Sequence, residues 1–242
     1  MRLIFYFDKI SSTMDIAHIL ANKGYPHGTV IVAEEQTQGR GRFKRKWHSP
    51  KGGLWFSIIF RPGNLKTIKA GFLGIIIGFS VLKTLESFLK DIKLNFKWPN
   101  DIEYEGKKVA GILLESVYEK ELEYIIAGIG INLQVDPEEI KDLKAFSLKN
   151  YITIPDKNIL LLEILKELEK NLDNFPNNWK AIFEFYKNKF PYIGKEAIIK
   201  NKNSKAKVID ITEDGGIVLS INKKIERYEW GGVSLEFEGI SN

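Results

Sequence analysis

Apolar positions recur with two different periods along this chain, and their succession predicts mixed α and β structure. Residues 3–7 read as a short apolar strand, 8–13 as a turn, and 15–23 as a helix ended by Gly24. Ser11, Ser12 and Thr13 stand where a hydroxyl can satisfy a first-turn amide of that helix, or meet a polar group of a ligand. Strands follow at 28–35 and 54–60, the second stopped by Pro62 and Gly63. Ile68, Phe72, Ile75, Phe79 and Leu82 recur at helical spacing and predict a long core helix over 67–89. Gly71, Gly74 and Gly78 line one side of it and permit close backbone packing. A strand carrying Lys97 and Trp98 then meets Pro99, so the chain turns at Asn100 and Asp101.

Glu105-Gly106 is the next hairpin tip, between that segment and strands at 108–116 and 122–133. Residues 136–150 are loop-like. Leu161, Leu165, Leu168 and Leu172 trace an amphipathic helix over 155–174, and a further helix spans 179–189. Pro191-Tyr192-Ile193-Gly194 breaks the helical pattern. Short strands with polar turns follow at 197–200, 206–211, 216–220 and 225–230. The pattern divides the chain into a mixed domain, 1–190, and a small all-β barrel, 191–242.

Composition narrows the chemistry more than the fold. The 242 residues can build one large core or a main domain with a satellite, and 44% hydrophobic with 28% charged content suits a soluble globular protein. The longest mainly apolar stretch, 71–82, is short for a bilayer crossing, and the N-terminus shows no cleavable leader. A cytoplasmic protein without membrane attachment is therefore expected. The absence of cysteine excludes disulfides, thiolate nucleophiles and iron–sulfur ligation, while His18, His27 and His48 are scattered without zinc spacing. Lys+Arg 36 against Asp+Glu 31 leaves a formal +5, which lysines spread over surface helices can supply.

Only residues 40–51 concentrate cations near glycines and an aromatic. Five of the seven residues from Arg40 to Lys46 are basic, two glycines flank Arg40, and Trp47 follows. Glycine lets the backbone turn tightly and bring its amides to an anion, and arginine forks hold phosphate or carboxylate at two points. The plainer reading of such a turn is a solvated basic hairpin tip, and composition leaves nucleotide, carboxylate and nucleic acid open. A nucleic-acid module built on residues 40–51 would come without a helix-turn-helix, zinc finger or paired RNA-binding aromatics, and would leave Lys97, Asn100, Lys108 and Asn132 without a use. Glycines inside strands, at Gly111, Gly128 and Gly130, mark close approach of a ligand or another backbone.

Four separated blocks carry a resemblance. They are Ser11-Ser12-Thr13; Gln36 with Gly39-Arg40-Gly41-Arg42 through Trp47; Lys97-Trp98-Pro99-Asn100-Asp101 through Lys108-Val109-Ala110-Gly111; and Gly128-Ile129-Gly130-Ile131-Asn132-Leu133. In these blocks, and in this order, the chain resembles the biotin protein ligases, in the form without an N-terminal DNA-binding domain. A lipoate-attaching ligase shares the fold and the adenylation logic, but the Gly-Arg-Gly-Arg and Lys-Trp-Pro-Asn-Asp blocks favour biotin.

The resemblance implies an α+β fold: a mixed, largely antiparallel sheet packed with helices, plus a C-terminal SH3-like β-barrel. It implies biotin and ATP as substrates, Mg²⁺ as cofactor, a biotin carboxyl carrier protein as acceptor, and a homodimer paired at sheet edges. Ser12, Thr13, Gln36, Gly39, Arg40, Gly111 and Gly128 then belong to the biotin site, together with Arg42 and Lys108. Arg42, Arg45, Trp47, Lys97, Asn100, Lys108 and Asn132 belong to ATP. Lys108, Arg42 and Lys97 are the catalytic cations, and Asp101 is the candidate Mg²⁺ ligand. Lys44 stands where the family usually has glycine, a departure that bears on closure of the basic loop.

Overall fold

The structure, a computed structural model, describes residues 3–64, 69–153, 156–200 and 202–237. In chain order the elements are β1 (Ile4–Ile10), α1 (Thr13–Asn22), β2 (Val30–Gln36), β3 (Leu54–Phe60), α2 (Ala70–Phe88), β4 (Asn95–Lys97), β5 (Asp101–Tyr104), β6 (Lys107–Tyr118), β7 (Leu122–Ile131), the one-turn α3 (Pro137–Ile140), α4 (Lys157–Asp173) and α5 (Trp179–Asn188). The C-terminal strands are β8 (Glu196–Ile199), β9 (Ser204–Ile211), β10 (Ile217–Ile221), β11 (Lys224–Tyr228) and β12 (Leu235–Phe237). The chain forms two compact units, Met1–Ile68 with Lys107–Thr153, and Lys69–Gly106 with Ile154–Asn242.

In the first unit the strands lie in the order β1-β2-β3-β7-β6. β1 and β2 run parallel, and the other neighbours are antiparallel. A parallel pair needs a crossover, and α1 supplies it. The turn expected at 8–13 starts later, because Lys9 and Ile10 continue the ladder opposite Glu35 and Gln36. Lys9 and Glu35 also pair at 2.8 Å. α1 begins where Ser12 Oγ accepts from Met14 N at 3.3 Å. At its other end Arg61 donates to the carbonyls of Ala21 and Tyr25 and ties the end of the helix to the turn after it. Met14, Ala17 and Ala21 press α1 onto Ile31, Ile59 and Ile126 of the sheet. The 136–150 loop contains one helical turn, α3, capped by Asp136 with Pro137 in its first position.

In the second unit α2 is the core helix, with α4 and α5 against it. It has the length and apolar content of a bilayer-crossing helix, but 72% of that window is buried inside the protein, as in a core helix. Two of its glycines explain how it packs. A Cβ on Gly71 would fall 1.9 Å from the Asp214 carbonyl oxygen, and one on Gly74 would fall 2.4 Å from the Trp230 ring. β4 and β5 form an antiparallel hairpin, and Trp98 of the turn between them donates to the Gly215 carbonyl at 2.8 Å. The C-terminal strands make an antiparallel sheet in the order β11-β10-β9-β8-β12. β12 was not expected: three residues are too few to show a period. The segment 156–190, read from the sequence as part of the first domain, groups with these strands. The expected helix starts at 67 and 155 lie outside the described residues. The fold is α+β, with a large mixed sheet and a second, antiparallel sheet at the C-terminus.

Candidate active site

Strand alternation puts a strip of glycines on one face of the first unit's sheet. Ser57 faces Gly128, Trp55 faces Gly130, and Gly130 faces Gly111 on β6. α1 covers this same face, so the missing side chains bring the covering groups onto the strand backbone. A Cβ on Gly128 would lie 2.7 Å from Met14 Sδ, and one on Gly130 would lie 2.8 Å from the Trp47 indole.

At the Gly128 level the site is polar. Gln36 Oε1 accepts from Thr13 N at 2.8 Å and from Thr13 Oγ1 at 3.1 Å, while Gln36 Nε2 donates to Ser49 Oγ at 2.9 Å. Ser57 Oγ donates to Thr13 Oγ1 at 2.8 Å. Ser12, Thr13, Ser49 and Ser57 are all buried. Gly39 is required beside them, because a Cβ there would fall 2.6 Å from both Ser49 Oγ and the Trp47 carbonyl. Thr13 and Gln36 are thus held by one another and by two serines that the sequence does not single out, while Ser12 Oγ meets Met14 N and Arg40.

The basic loop is a small closed hairpin. Arg40 bridges Lys46, Gly41 N donates to Arg45 O at 2.8 Å, and Trp47 N donates to Gly39 O at 2.8 Å. A helical turn spans Arg42–Lys44, where Phe43 and Lys44 both adopt φ 57, the left-handed region that glycine enters most readily. Arg42 and Arg45 flank the exposed Phe43 ring, at 4.9 and 5.7 Å from its centre.

Arg40 turns the other way. Its Nε and Nη2 fork onto Glu115 at 3.0 and 2.9 Å, and its Nη1 reaches Asp15 and, at 3.4 Å, Ser12 Oγ. His18 Nε2 donates to Glu115 at 2.8 Å, and its Nδ1 lies 3.3 Å from the Tyr124 hydroxyl. The hydrogen bond from His18, followed by that from Arg40, outweighs burial and holds the Glu115 carboxyl down at about 2. The Glu115 hydrogen bond is also the largest influence raising Arg40 above its ordinary value, with Asp15 adding to it against burial. The sequence alone assigns no role to Asp15, His18 or Glu115. Their one signal was the i, i+3 spacing of Asp15 and His18 on the helix face that begins at Ser12.

At the Gly130 level and beyond it, Trp47 meets Trp55 edge to face with ring centres 6.2 Å apart, and the Lys108 ammonium stands 5.3 Å from the Trp47 ring. Asn132 N donates to Val109 O at 2.9 Å, and Asn132 Nδ2 donates to Lys108 O at 3.1 Å. The Lys108 carbonyl also accepts from Phe146 N at 2.8 Å. The Asn132 side chain, expected at ATP, is therefore buried against the backbone that presents Lys108.

Lys97, Asn100 and Asp101 belong to the second unit, in β4, the turn and β5. There Lys97 pairs with the buried Glu103 at 3.3 Å, and Tyr192 donates to the other Glu103 oxygen. Among the described residues no group of three or more His, Cys, Asp or Glu is arranged to hold a metal ion.

Residues 6–132 match the Biotin/lipoate A/B protein ligase family, and the chain belongs to it. Within that family the similarities fall on biotin protein ligases. The solved biotin protein ligase from Aquifex aeolicus in complex with biotin and ATP is 32% identical, with a TM-score of 0.81 over 98% of this chain and 99% of that one. The bifunctional ligase/repressor BirA of Bacillus subtilis is 33% identical over 233 residues, 93% of this chain and 71% of that protein. BirA of Bacillus spizizenii is 44% identical over 146 residues, 58% of this chain and 44% of that protein, so here the match spans less than half of the relative.

Proposed function

We propose that this chain activates biotin with ATP and transfers it to a lysine of a biotin carboxyl carrier protein. The observation that carries the reading is the order of groups along the glycine-lined face. The Thr13–Gln36–Ser57 cluster lies level with Gly128, Trp47 lies over Gly130, and Asn132 with Lys108 lies beyond. Two strand residues advance about 7 Å, so a ligand along this face would meet uncharged hydrogen-bonding groups first and an aromatic ring with a cation next. That sequence fits an acid whose polar head is bound at one end and whose carboxylate is joined to a nucleotide at the other.

In the reaction the biotin carboxylate oxygen attacks the α-phosphorus of ATP, and the bond to pyrophosphate breaks. The carrier lysine amine then attacks the anhydride carbonyl, releases AMP and loses a proton. Neither step needs a protein nucleophile. Both need charge compensation, because a carboxylate must approach a triphosphate. Lys108 and Arg42 are the cations proposed for this task. Lys97, Asn100 and Asp101 are assigned on the family resemblance alone. Mg²⁺ bound by the ATP phosphates needs one or two carboxylates rather than a protein cage, which is compatible with the lack of a carboxylate cluster among the described residues. When bound it would draw charge from the phosphate oxygens, with Asp101 as its candidate ligand.

ATP–pyrophosphate exchange, measured with and without biotin, tests the reading. Exchange that depends on biotin and not on lipoate is expected, and exchange indifferent to biotin would end the proposal. A homodimer in the cytoplasm completes it: β1 stands at an edge of the first unit's sheet, and edges are favoured pairing surfaces. One-chain mass by light scattering, with and without biotin and ATP, would remove the dimer.

A further inference from the structure

The basic loop is joined to the rest of its unit by a side-chain clasp that the chemistry above does not use. Arg40 is half-buried, although its neighbours from Phe43 to Lys46 are exposed. Its guanidinium meets Glu115 through two donors, a geometry that fixes direction as well as distance. The remaining Nη1 reaches Asp15 and Ser12, so the same side chain touches the N-terminus of α1. Glu115 is fixed in turn by His18 from the next turn of α1. The backbone hydrogen bonds from Gly41 to Arg45 and from Trp47 to Gly39 close the loop on itself.

We propose that Glu115, held by His18 and joined by Asp15, is the catch that fixes the basic loop over the site through Arg40. These three are positioning residues: they touch Arg40 or one another, and they act on the reaction only through the loop. The catch is built from α1, which Ser12 caps, and β6, which carries Gly111. The loop is therefore indexed to the expected biotin end of the site. With the catch engaged, Arg42, Arg45 and Trp47 keep one place relative to the glycine-lined face. With it broken, the span from Arg40 to Lys46 opens from its Gly39 and Trp47 ends. Its place in catalysis rests on the biotin-activating reading, whereas its mechanical part stands without it.

Trypsin is the probe, since Arg40, Arg42, Lys44, Arg45 and Lys46 are all sites for it. Glu115→Gln keeps the shape and removes the charge. Cleavage within 40–46 of the full chain, followed by mass spectrometry under native conditions, should accelerate about tenfold relative to wild type, because local opening governs cutting of folded chains. Cleavage elsewhere should stay unchanged. Asp15→Asn should produce a smaller increase, and Arg40→Lys, which keeps a charge but loses the fork, an intermediate one. Thr29→Val, which removes the hydrogen bond to the Pro26 carbonyl and touches no member of the catch, controls for general destabilisation and should leave loop cleavage alone. In the same samples, Glu115→Gln should release biotinyl-5′-AMP at least about fivefold faster, with the first turnover of adenylation little changed. Wild-type loop protection in Glu115→Gln, or cleavage that rises equally everywhere, overturns the catch. Accelerated loop cleavage in a protein that makes no adenylate at all upholds the catch and rejects the biotin-activating reading instead.

Discussion

Lys97 and Glu103 form an ion pair at 3.3 Å in which the carboxylate is 1% exposed and the ammonium 24%. Tyr192 donates to the other carboxylate oxygen, and burial together with that hydrogen bond pushes its hydroxyl pKa up, so it remains a donor. Removing the ammonium would strand a buried charge with one neutral partner, which costs about 1–3 kcal/mol and more where desolvation is complete. Lys97→Met should therefore lower the urea midpoint clearly, and adding Glu103→Gln should recover part of the loss. A parental midpoint for Lys97→Met would refute the pair. Activity lost in any Lys97 variant has to be measured well below its own melting temperature before it is credited to phosphate binding.

Acid should weaken the fold through Glu115 and Asp214. Glu115 sits at about 2 against an ordinary 4.5, and Asp214, held by Arg227 and then Thr212, at about 2 against 3.8. A carboxylate depressed in the folded state adds stability above its unfolded value and loses it as pH falls toward the folded one. Urea midpoints should thus be insensitive to these groups at neutral pH and should decline below about pH 4.5. In Glu115→Gln the decline should be shallower. An unchanged slope would show that Glu115 titrates alike in both states.

Gly128 and Gly130 should differ in tolerance. Each lacks room for a methyl, but Gly128 faces the thioether of Met14 and Gly130 faces the rigid indole of Trp47. Methionine can find another rotamer, whereas overpacking a ring forces it to move bodily. Gly130→Ala should depress biotin-dependent exchange at least about tenfold and alter tryptophan fluorescence. Gly128→Ala should cost about 1–2 kcal/mol of stability with a smaller catalytic effect. Equal losses in both would contradict the placement of Trp47.

Lys108 and Arg42 should separate the two chemical tasks. Lys108→Ala removes an ammonium expected where charge develops, a loss of about 3 kcal/mol, or roughly a hundredfold or more in adenylation. Arg42→Ala should still form adenylate but hold it poorly, so free biotinyl-5′-AMP and labelling of unrelated amines should appear. Pyrophosphate release and free adenylate, assayed on both variants, decide the point. Normal exchange in Lys108→Ala would shift that role to Lys97, and tight retention in Arg42→Ala would shift the other to Arg40.

Much of this architecture is local in origin and was legible for that reason. The periods of residues 54–60, 122–133 and 179–189 predict their elements, and the hydroxyl run before α1 predicts its cap. The strand glycines mark a close approach, and what approaches Gly128 and Gly130 is the Met14 and Trp47 side chains rather than another backbone. What escaped the sequence is what tertiary pairing creates. Glu115 looks like one polar residue in a strand until β6 and α1 bring it to Arg40, 75 positions away, and to His18, 97 positions away. Asn132 reads as a ligand group, yet its nearest need is the Lys108 carbonyl. Lys44 in a left-handed conformation is legible only as a departure, since nothing local shows that the chain bears the strain of a side chain there.

The contact of Gly71 and Gly74 with Asp214 and Trp230 has a consequence for the order of synthesis. α2 leaves the ribosome in the first half of the chain, while the residues that seal its glycine face are made near the end. Until then one of the most apolar helices of the protein has no lid, and domains that must wait for distant sequence are exposed to aggregation and to capture by chaperones. The C-terminal sheet is thus a closing piece for an element translated long before it. Chains arrested ahead of Trp230 should bind a hydrophobic dye and chaperones that the completed chain does not.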